Sequence, residues 1–181
     1  MHDSLRLFVA LYPPIERACE LLRALENVAL PPFRAVAPEQ VHLTLQFIGD
    51  TPRREFDTVS ESVERACAGL SAMTLEARRI SSFPRKGESR LVAAVCEPNP
   101  VLAELQRRLV SRLARRVRPA GVFTAHLTLC RFVRAQHASL DVPLQPPVAF
   151  AVDKVCLVSS LLRPGGAVHR LEGVYSMREG G

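Results

Sequence analysis

Tryptophan is absent from these 181 residues, tyrosine occurs twice, and lysine is nearly missing: of the 24 basic side chains, all but Lys86 and Lys154 are arginine. A chain this poor in large aromatics has few platforms on which nucleic-acid bases could stack. No apolar run approaches the ~18 residues that a membrane-spanning helix needs. The opening Met1-His2-Asp3-Ser4 has neither the charged nor the apolar region of a signal peptide, so no membrane partner and a cytoplasmic location are expected. The five cysteines (Cys19, Cys67, Cys96, Cys130, Cys156) are odd in number and scattered, which excludes a disulfide framework and a clustered metal site and fits a reducing compartment. No low-complexity stretch and no linker divides the chain, so residues 1–181 read as one unit.

Apolar residues make up 48%, enough for a core, and the net charge is +6 with a pI near 9.5. Arginine's planar fork suits phosphate, so an anionic partner, nucleic acid first, competes with a merely solvated basic surface.

The most informative feature is a repeated tetrapeptide. His42-Leu43-Thr44-Leu45 recurs as His126-Leu127-Thr128-Leu129, 84 positions later. At the same offset, without a gap, Arg6 aligns with Arg90, Leu7 with Leu91, Ala10 with Ala94, Pro14 with Pro98, Glu20 with Glu104 and Leu21 with Leu105. A repeat of this length is not a short solenoid period. It reads as a strand–helix–strand unit used twice.

Period-two and period-three-to-four patterns give the element order. Strands are expected over 5–11, 41–48, 74–82, 90–96, 122–133, 149–159 and 167–177, with Gly49-Asp50 as a turn. Helices are expected after Pro13-Pro14 (Ile15, Ala18, Leu22, Leu25 and Ala29 inward), after Thr51-Pro52 (Phe56, Val59, Val63, Ala66, Leu70) and from Pro98 to Val117 (Leu102, Leu105, Leu109, Leu113). Residues 135–147 read as a polar, proline-containing connection. The fold class is α+β: a bilobal, pseudo-twofold arrangement of two mostly antiparallel sheets around a central cleft, with helices outside. The outer face of the third helix carries Arg107, Arg108, Arg112, Arg115 and Arg116, either solvated or set against an RNA backbone.

Side chains on a strand alternate. His42 and Thr44 therefore share one face while Leu43 and Leu45 anchor the other, and the second motif repeats the pattern. Each motif offers an imidazole that titrates near neutrality beside a hydroxyl able to donate to a phosphate oxygen. Two such pairs suit in-line displacement at phosphorus, one histidine activating the nucleophile and the other protonating the leaving oxygen. Arg131 lies three residues beyond Thr128, so an ideal strand aims it away, and a bulge or the strand end must turn it back. Its first-half counterpart is Phe47. Two histidines without a carboxylate or cysteine in register fall short of a zinc set; no metal and no cofactor are expected. His2, His137 and His169 lie outside the repeat and read as surface residues.

These residues resemble the two-histidine phosphoesterase superfamily. Within it the chain is most similar to the bacterial and archaeal RNA 2′,3′-cyclic phosphodiesterases, once called 2′-5′ RNA ligases. The resemblance covers Arg6-Leu7-Phe8-Val9-Ala10, Pro38 through Gly49, Phe83-Pro84, His126 through Arg131, and Leu162-Arg163-Pro164-Gly165-Gly166-Ala167-Val168. It implies metal-free hydrolysis of a terminal 2′,3′-cyclic phosphate to a 2′-phosphate. His42 would be the proton donor and His126 the acceptor, with Thr44 and Thr128 holding the phosphate and ligation available in reverse. Arg131, Phe83 and Arg90 are assigned to substrate binding, the partner being an RNA end and the protein a monomer. Phe33, Phe83 and Phe123 are the aromatics available for stacking. Relatives often carry an aromatic shortly before Pro38 and a proline before the second histidine, where this chain has Ala35 or Val36 and Ala125. A non-catalytic RNA-end binding module is the alternative. So is a sister enzyme acting on a small cyclic phosphate or a 2′-5′-linked oligonucleotide.

Turnover of a cyclic-phosphate oligonucleotide is expected to survive excess EDTA, because the motifs supply imidazoles but no carboxylates. Loss of activity that zinc or manganese restored would overturn that chemistry.

Overall fold

The two copies of the repeat become two sets of antiparallel strands laid side by side. The computed structural model describes residues 4–85, 87–114, 123–137, 139–163 and 166–178. Its elements run β1 (Ser4–Leu11), α1 (Ile15–Arg23), β2 (Phe33–Ala35), β3 (Leu43–Pro52), α2 (Phe56–Cys67), β4 (Met73–Phe83), β5 (Ser89–Cys96), α3 (Pro100–Leu113), β6 (His126–Gln136), β7 (Asp141–Val152), β8 (Lys154–Arg163) and β9 (Gly166–Ser176). The strand order is β7-β4-β5-β6-β3-β1-β8-β9, with β2 beside β6. That order is palindromic. The motif strands β3 and β6 lie at the centre, the strands β1 and β5 that open each repeat flank them, and a hairpin or returning strand closes each end. The pairings are antiparallel throughout, and the α+β class with a pseudo-twofold plan holds.

The halves are joined where β3 meets β6, at the register pair Leu43–Leu127. Beyond it the strands part and β2 takes the place beside β6, pairing Phe33 with Phe132, Arg34 with Arg131 and Ala35 with Cys130. The motif strands are thus neighbours within one ladder rather than opposing walls.

All three helices lie over one face of the sheet. α3 begins at Asn99, whose side chain accepts from the Leu102 amide at 3.0 Å, with Pro100 in the first turn where its missing N–H costs nothing. Leu102, Leu105, Leu109 and Leu113 are buried as expected and join Leu7, Val9, Leu11, Leu43, Leu45, Leu127 and Leu129 in one core. On α1 the inward positions are Ala18 and Leu21, while Ile15 is exposed; a short 3-10 turn, Ala24–Asn27, replaces the expected last turns. α2 is tied to β9 by Ser60 Oγ and the Tyr175 hydroxyl at 2.8 Å, and to α3 by Arg108, whose guanidinium donates to the Ala68 carbonyl at 2.8 Å.

Four expectations are corrected. Residues 141–147 belong to strand β7, and the expected strand 149–159 is two strands that turn at Asp153. β7 is the outermost strand, bonded only to β4, and its register jumps from Val148–Ala77 to Pro143–Arg79, so Pro146 and Pro147 occupy the skipped stretch where no amide is needed. Second, β3 runs through Gly49-Asp50 to Pro52. Gly49 has φ of +84°, which only glycine adopts cheaply, and it sits at a register shift between β3 and β1 rather than at a turn. Third, the ungapped offset of 84 fails in the opening strands. Ala10 pairs with Thr44 whereas Ala93 pairs with Thr128, so β1 and β5 correspond at 83. Fourth, β2 was not anticipated; three exposed residues give no periodic signal.

Leu127 is fully buried at the junction of the halves. Leu127→Ala is expected to cost about 2–5 kcal/mol of stability in chemical denaturation, against less than about 0.5 kcal/mol for Val133→Ala on the exposed side of the same strand. Equal effects would mean that the junction is not under packing load.

Candidate active site

The bridge at Leu43–Leu127 sets the geometry of the site. In an antiparallel pair, one register contact puts the residue before Leu43 opposite the residue after Leu127. His42 therefore lies across from Thr128, and Thr44 across from His126, with about 5 Å between opposed Cβ atoms. Leu43, Leu45, Leu127 and Leu129 go into the helix-covered core, and the two histidines and two threonines remain half-buried on the other face. The expected alternation holds.

Each imidazole is pinned by a carbonyl two residues earlier in the chain. His42 Nδ1 lies 2.6 Å from the Gln40 carbonyl oxygen, and His126 Nδ1 lies 2.8 Å from that of Thr124. A carbonyl can only accept, so each Nδ1 carries the hydrogen and each Nε2 is left free. The 3-10 turn Pro38–Gln40, just before the first motif, presents the Gln40 carbonyl.

Each ring also has an aromatic neighbour. Phe83 stacks on His126 at 4.9 Å between centroids and 21° between planes, with the Arg85 guanidinium 5.7 Å over the Phe83 ring. Phe83 thus belongs to the site, as the packing partner of a histidine. His42 packs at 5.2 Å from Phe8 and 5.5 Å from Tyr12.

Arg131 is turned to the histidine face by a bulge. Thr128 pairs with Ala93 and Cys130 with Val92, so Leu129 is an extra residue in β6. Leu129 and Cys130 are both at 0% exposure and Arg131 is exposed, the pattern of a strand whose alternation has slipped by one. The same bulge occurs in β3, where Thr44 pairs with Ala10 and Gln46 with Val9, leaving Leu45 extra. It turns Phe47 outward at 66% exposure, 6.0 Å from Phe8. Mirror positions of the two motif strands therefore present an arginine and an open phenyl ring. Arg90 is exposed early in β5, and none of the histidine contacts among the described residues involves it. Phe33 is exposed on β2, and Phe123 packs against the core.

One histidine outside the motifs was misjudged. His169 on β9 is half-buried, not a surface residue, and its ring stands edge-on to His42 at 4.9 Å and 79°. His137 is exposed, 3.8 Å from Glu88, and His2 lies outside the described residues. Burial pulls the His42 imidazole down from 6.5 to about 4, and the positive charge of His169, Arg131 and His126 adds to the effect against the Gln40 carbonyl. Burial also lowers His169 and holds the Tyr12 hydroxyl up at about 12. The Cys130 thiol is raised by burial, which leaves it unreactive.

Among the described residues, no three histidine, cysteine or acidic side chains gather as a metal would require. The basic face of α3 lies on the helix side of the sheet, away from the histidines. Arg107 and Arg108 there both bind Glu104 within α3, at 2.8 and 2.7 Å, and Arg108 also ties the helix to the end of α2. Arg65, Ser111 and Arg112 line a groove of about 520 Å³ with them, and Arg115 and Arg116 fall outside the described residues.

A family profile described as the 2′-5′ RNA ligase superfamily matches residues 12–163. An RNA 2′,3′-cyclic phosphodiesterase of Thermus thermophilus is 32% identical over 96% of this chain and 91% of its own length. A Thermotoga maritima protein of the same name is 24% identical over 92% of each. Among solved structures, E. coli LigT complexed with phosphate superposes with a TM-score of 0.81 at 25% identity, covering 97% of this chain and 99% of the other.

An NMR titration of the substrate-free protein is expected to place the His42 ring well below the ordinary 6.5, near 4. The unfolded chain would bind this proton near 6.5, so the contribution to stability is present above that pH and fades as pH falls toward 4. A His42 midpoint at or above 6.5 would show that neither burial nor the neighbouring cations act on the ring.

Proposed function

The chain belongs to the 2′-5′ RNA ligase superfamily, and we propose that it hydrolyses RNA ends bearing a 2′,3′-cyclic phosphate to 2′-phosphate ends, using His42 and His126 as its acid–base pair. The observation that carries this reading is the arrangement of two Nδ1-pinned imidazoles, each across from the other motif's threonine, on one face beside Arg131. The names of the two curated relatives, and phosphate in the E. coli neighbour, support putting a phosphoryl group there.

The chemistry follows from the free nitrogens. With phosphorus held between the motifs, His126 Nε2 takes a proton from water. The water oxygen bonds to phosphorus, the bond from phosphorus to the 3′ oxygen breaks, and His42 Nε2 delivers its proton to that oxygen. Thr44, Thr128 and Arg131 hold the non-bridging oxygens and meet the growing charge. Burial, and after it the charges of His169 and Arg131, keep His42 neutral at pH 7 in the substrate-free protein. The phosphodiester brings the negative charge that offsets them, so the acid becomes charged when there is something to protonate. The exposed Phe47 ring, at the mirror position of Arg131, is the surface on which the terminal base rests. With a 5′-hydroxyl in place of water as the nucleophile, the same steps open the cyclic phosphate into a 2′-5′ linkage, the 3′ oxygen leaving with the His42 proton. Both halves of the site come from one chain, so a monomer is taken to suffice, in a cytoplasmic setting that the five free cysteines fit.

The test is an oligonucleotide ending in 2′,3′-cyclic phosphate. The intact protein should release a 2′-phosphate, and His42→Ala and His126→Ala should each lose about 10²–10⁴-fold in rate. A better leaving group at the 3′ position should rescue His42→Ala and not His126→Ala, because only the first lacks the proton donor. Equal rescue, or rescue of His126→Ala alone, would mean the roles are exchanged. Tight binding with no turnover by the intact protein would leave the RNA-end binding module as the correct description.

A further inference from the structure

His169 belongs to neither motif and has no partner in the repeat, yet it is the closest ring to His42. Its position follows from register. Phe8 of β1 pairs with Val158 of β8, and His169 of β9 pairs with Ser160, two residues further along the same strand. Residues two apart on a strand share a face, so His169 stands on the face that carries Phe8 and Val158. There the ring meets His42 edge-on at 4.9 Å and 79°, and Phe8 edge-on at 5.0 Å and 65°. The Tyr12 hydroxyl is 3.4 Å from His169 Nδ1, and the Tyr12 ring also leans on His42, at 5.5 Å and 34°. His42 is enclosed by these three rings and tethered through Nδ1 to Gln40. Among the described residues, the ring packed on His126 is that of Phe83.

We propose that His169 is a positioning residue for His42: steadied by Tyr12, it fixes the plane of the His42 ring and makes the two motif histidines chemically unequal. The assignment of what that inequality serves rests on the phosphodiesterase reading; the contact itself does not. At this separation a charge on one imidazole disfavours a charge on the other, so protonation of His42 responds to that of His169. The groups facing His42 are few. They are the Gln40 carbonyl ahead of β3, Phe8 on β1 and Tyr12 just after it, His126 and Arg131 on β6, and His169 on β9. Phe8 carries no charge, and burial keeps the Tyr12 hydroxyl protonated throughout the working range. His126 and Arg131 belong to the opposite motif and reach the shared phosphate. Among the described residues, His169 is the one neighbour from His42's own half of the sheet that can carry a positive charge.

Two substitutions separate packing from titration. His169→Phe keeps a ring against His42 and removes the ionisable nitrogens. His169→Ala removes both. In the substrate-free protein, NMR should show the His42 midpoint moving up by about half a pH unit in His169→Phe, the size expected from one neighbouring charge at near-water screening. His169→Phe should keep kcat on the cyclic-phosphate oligonucleotide within about threefold. His169→Ala should lower kcat about tenfold with KM little changed, because the ring plane is no longer held. Circular dichroism checks the fold, and the Phe variant conserves enough volume to stand if the Ala variant does not fold. An unchanged His42 midpoint in His169→Phe would overturn the proposal. So would a rise in KM at constant kcat, which would make His169 a substrate-binding group. The NMR arm uses no substrate, so its outcome stands even if the cyclic-phosphate reading fails.

Discussion

One register contact governs the site. Leu43 and Leu127 bridge β3 and β6 at the centre of a palindromic sheet, and both side chains are buried. From that single pairing the rest follows by geometry. Alternation turns the flanking histidines and threonines to the opposite face, and the antiparallel sense sets each histidine against the other motif's threonine. A slip of one residue would send both imidazoles into the helix-covered core. The leucines of the tetrapeptide are as much a part of the site as its polar members, since the apolar area they bury is what makes any other register costly.

The second constraint is the paired bulge. Leu45 and Leu129 occupy the same place in the two motifs, and each inserts one residue into its strand. Without the insertion, Arg131 and Phe47 would point into the core, where an unpaired guanidinium could not stay. With it, both emerge on the histidine face. The duplication thus supplies two strands with the same tetrapeptide and the same irregularity, which diverge just beyond it, at Gln46 against Cys130 and Phe47 against Arg131. The proposed function gives the arginine to phosphate and the phenyl ring to a base. This is economical chemistry for a chain with no tryptophan and few aromatics.

The parts of this plan that were legible in sequence are those that obey a simple period. The tetrapeptides announced the two histidines, the two threonines and their facing, and the leucine spacing of α3 announced its buried stripe. What escaped detection breaks a period or lies far along the chain. β7 carries three prolines in its sequence, and only its outermost place in the sheet, with a skipped stretch opposite β4, makes them tolerable. The direction of Arg131 could be stated only as a condition, because a bulge is a tertiary event with no side-chain signature. The ungapped repeat missed a one-residue difference between β1 and β5, since identities at Arg and Leu in a chain rich in both do not fix a register. His169 was passed over because its importance arises from β8 returning to pair with β1, more than 100 residues away in sequence. Arg90, chosen for its place in the repeat, has no such tertiary support.

Duplicated machinery faces a difficulty that its symmetry creates. An acid and a base of the same residue type, in the same local setting, would share one proton affinity, and a step that needs one charged and one neutral would find both in the same state most of the time. The motifs cannot resolve this, since they are identical down to the carbonyl that pins each ring. The difference has to come from what surrounds them. Around His126 lies a stacked phenyl ring with a guanidinium beyond it; around His42 lie a phenol, a second imidazole and the arginine of the opposite motif. The second environment disfavours a proton, chiefly through burial, which no substrate relieves by charge alone. An anion seated between the motifs nevertheless changes the sign of the field that His42 feels from that side. In the proposed reaction, proton affinity at His42 is thereby coupled to the anion between the motifs, and the charge on His42 becomes a consequence of binding rather than a fixed property of the residue.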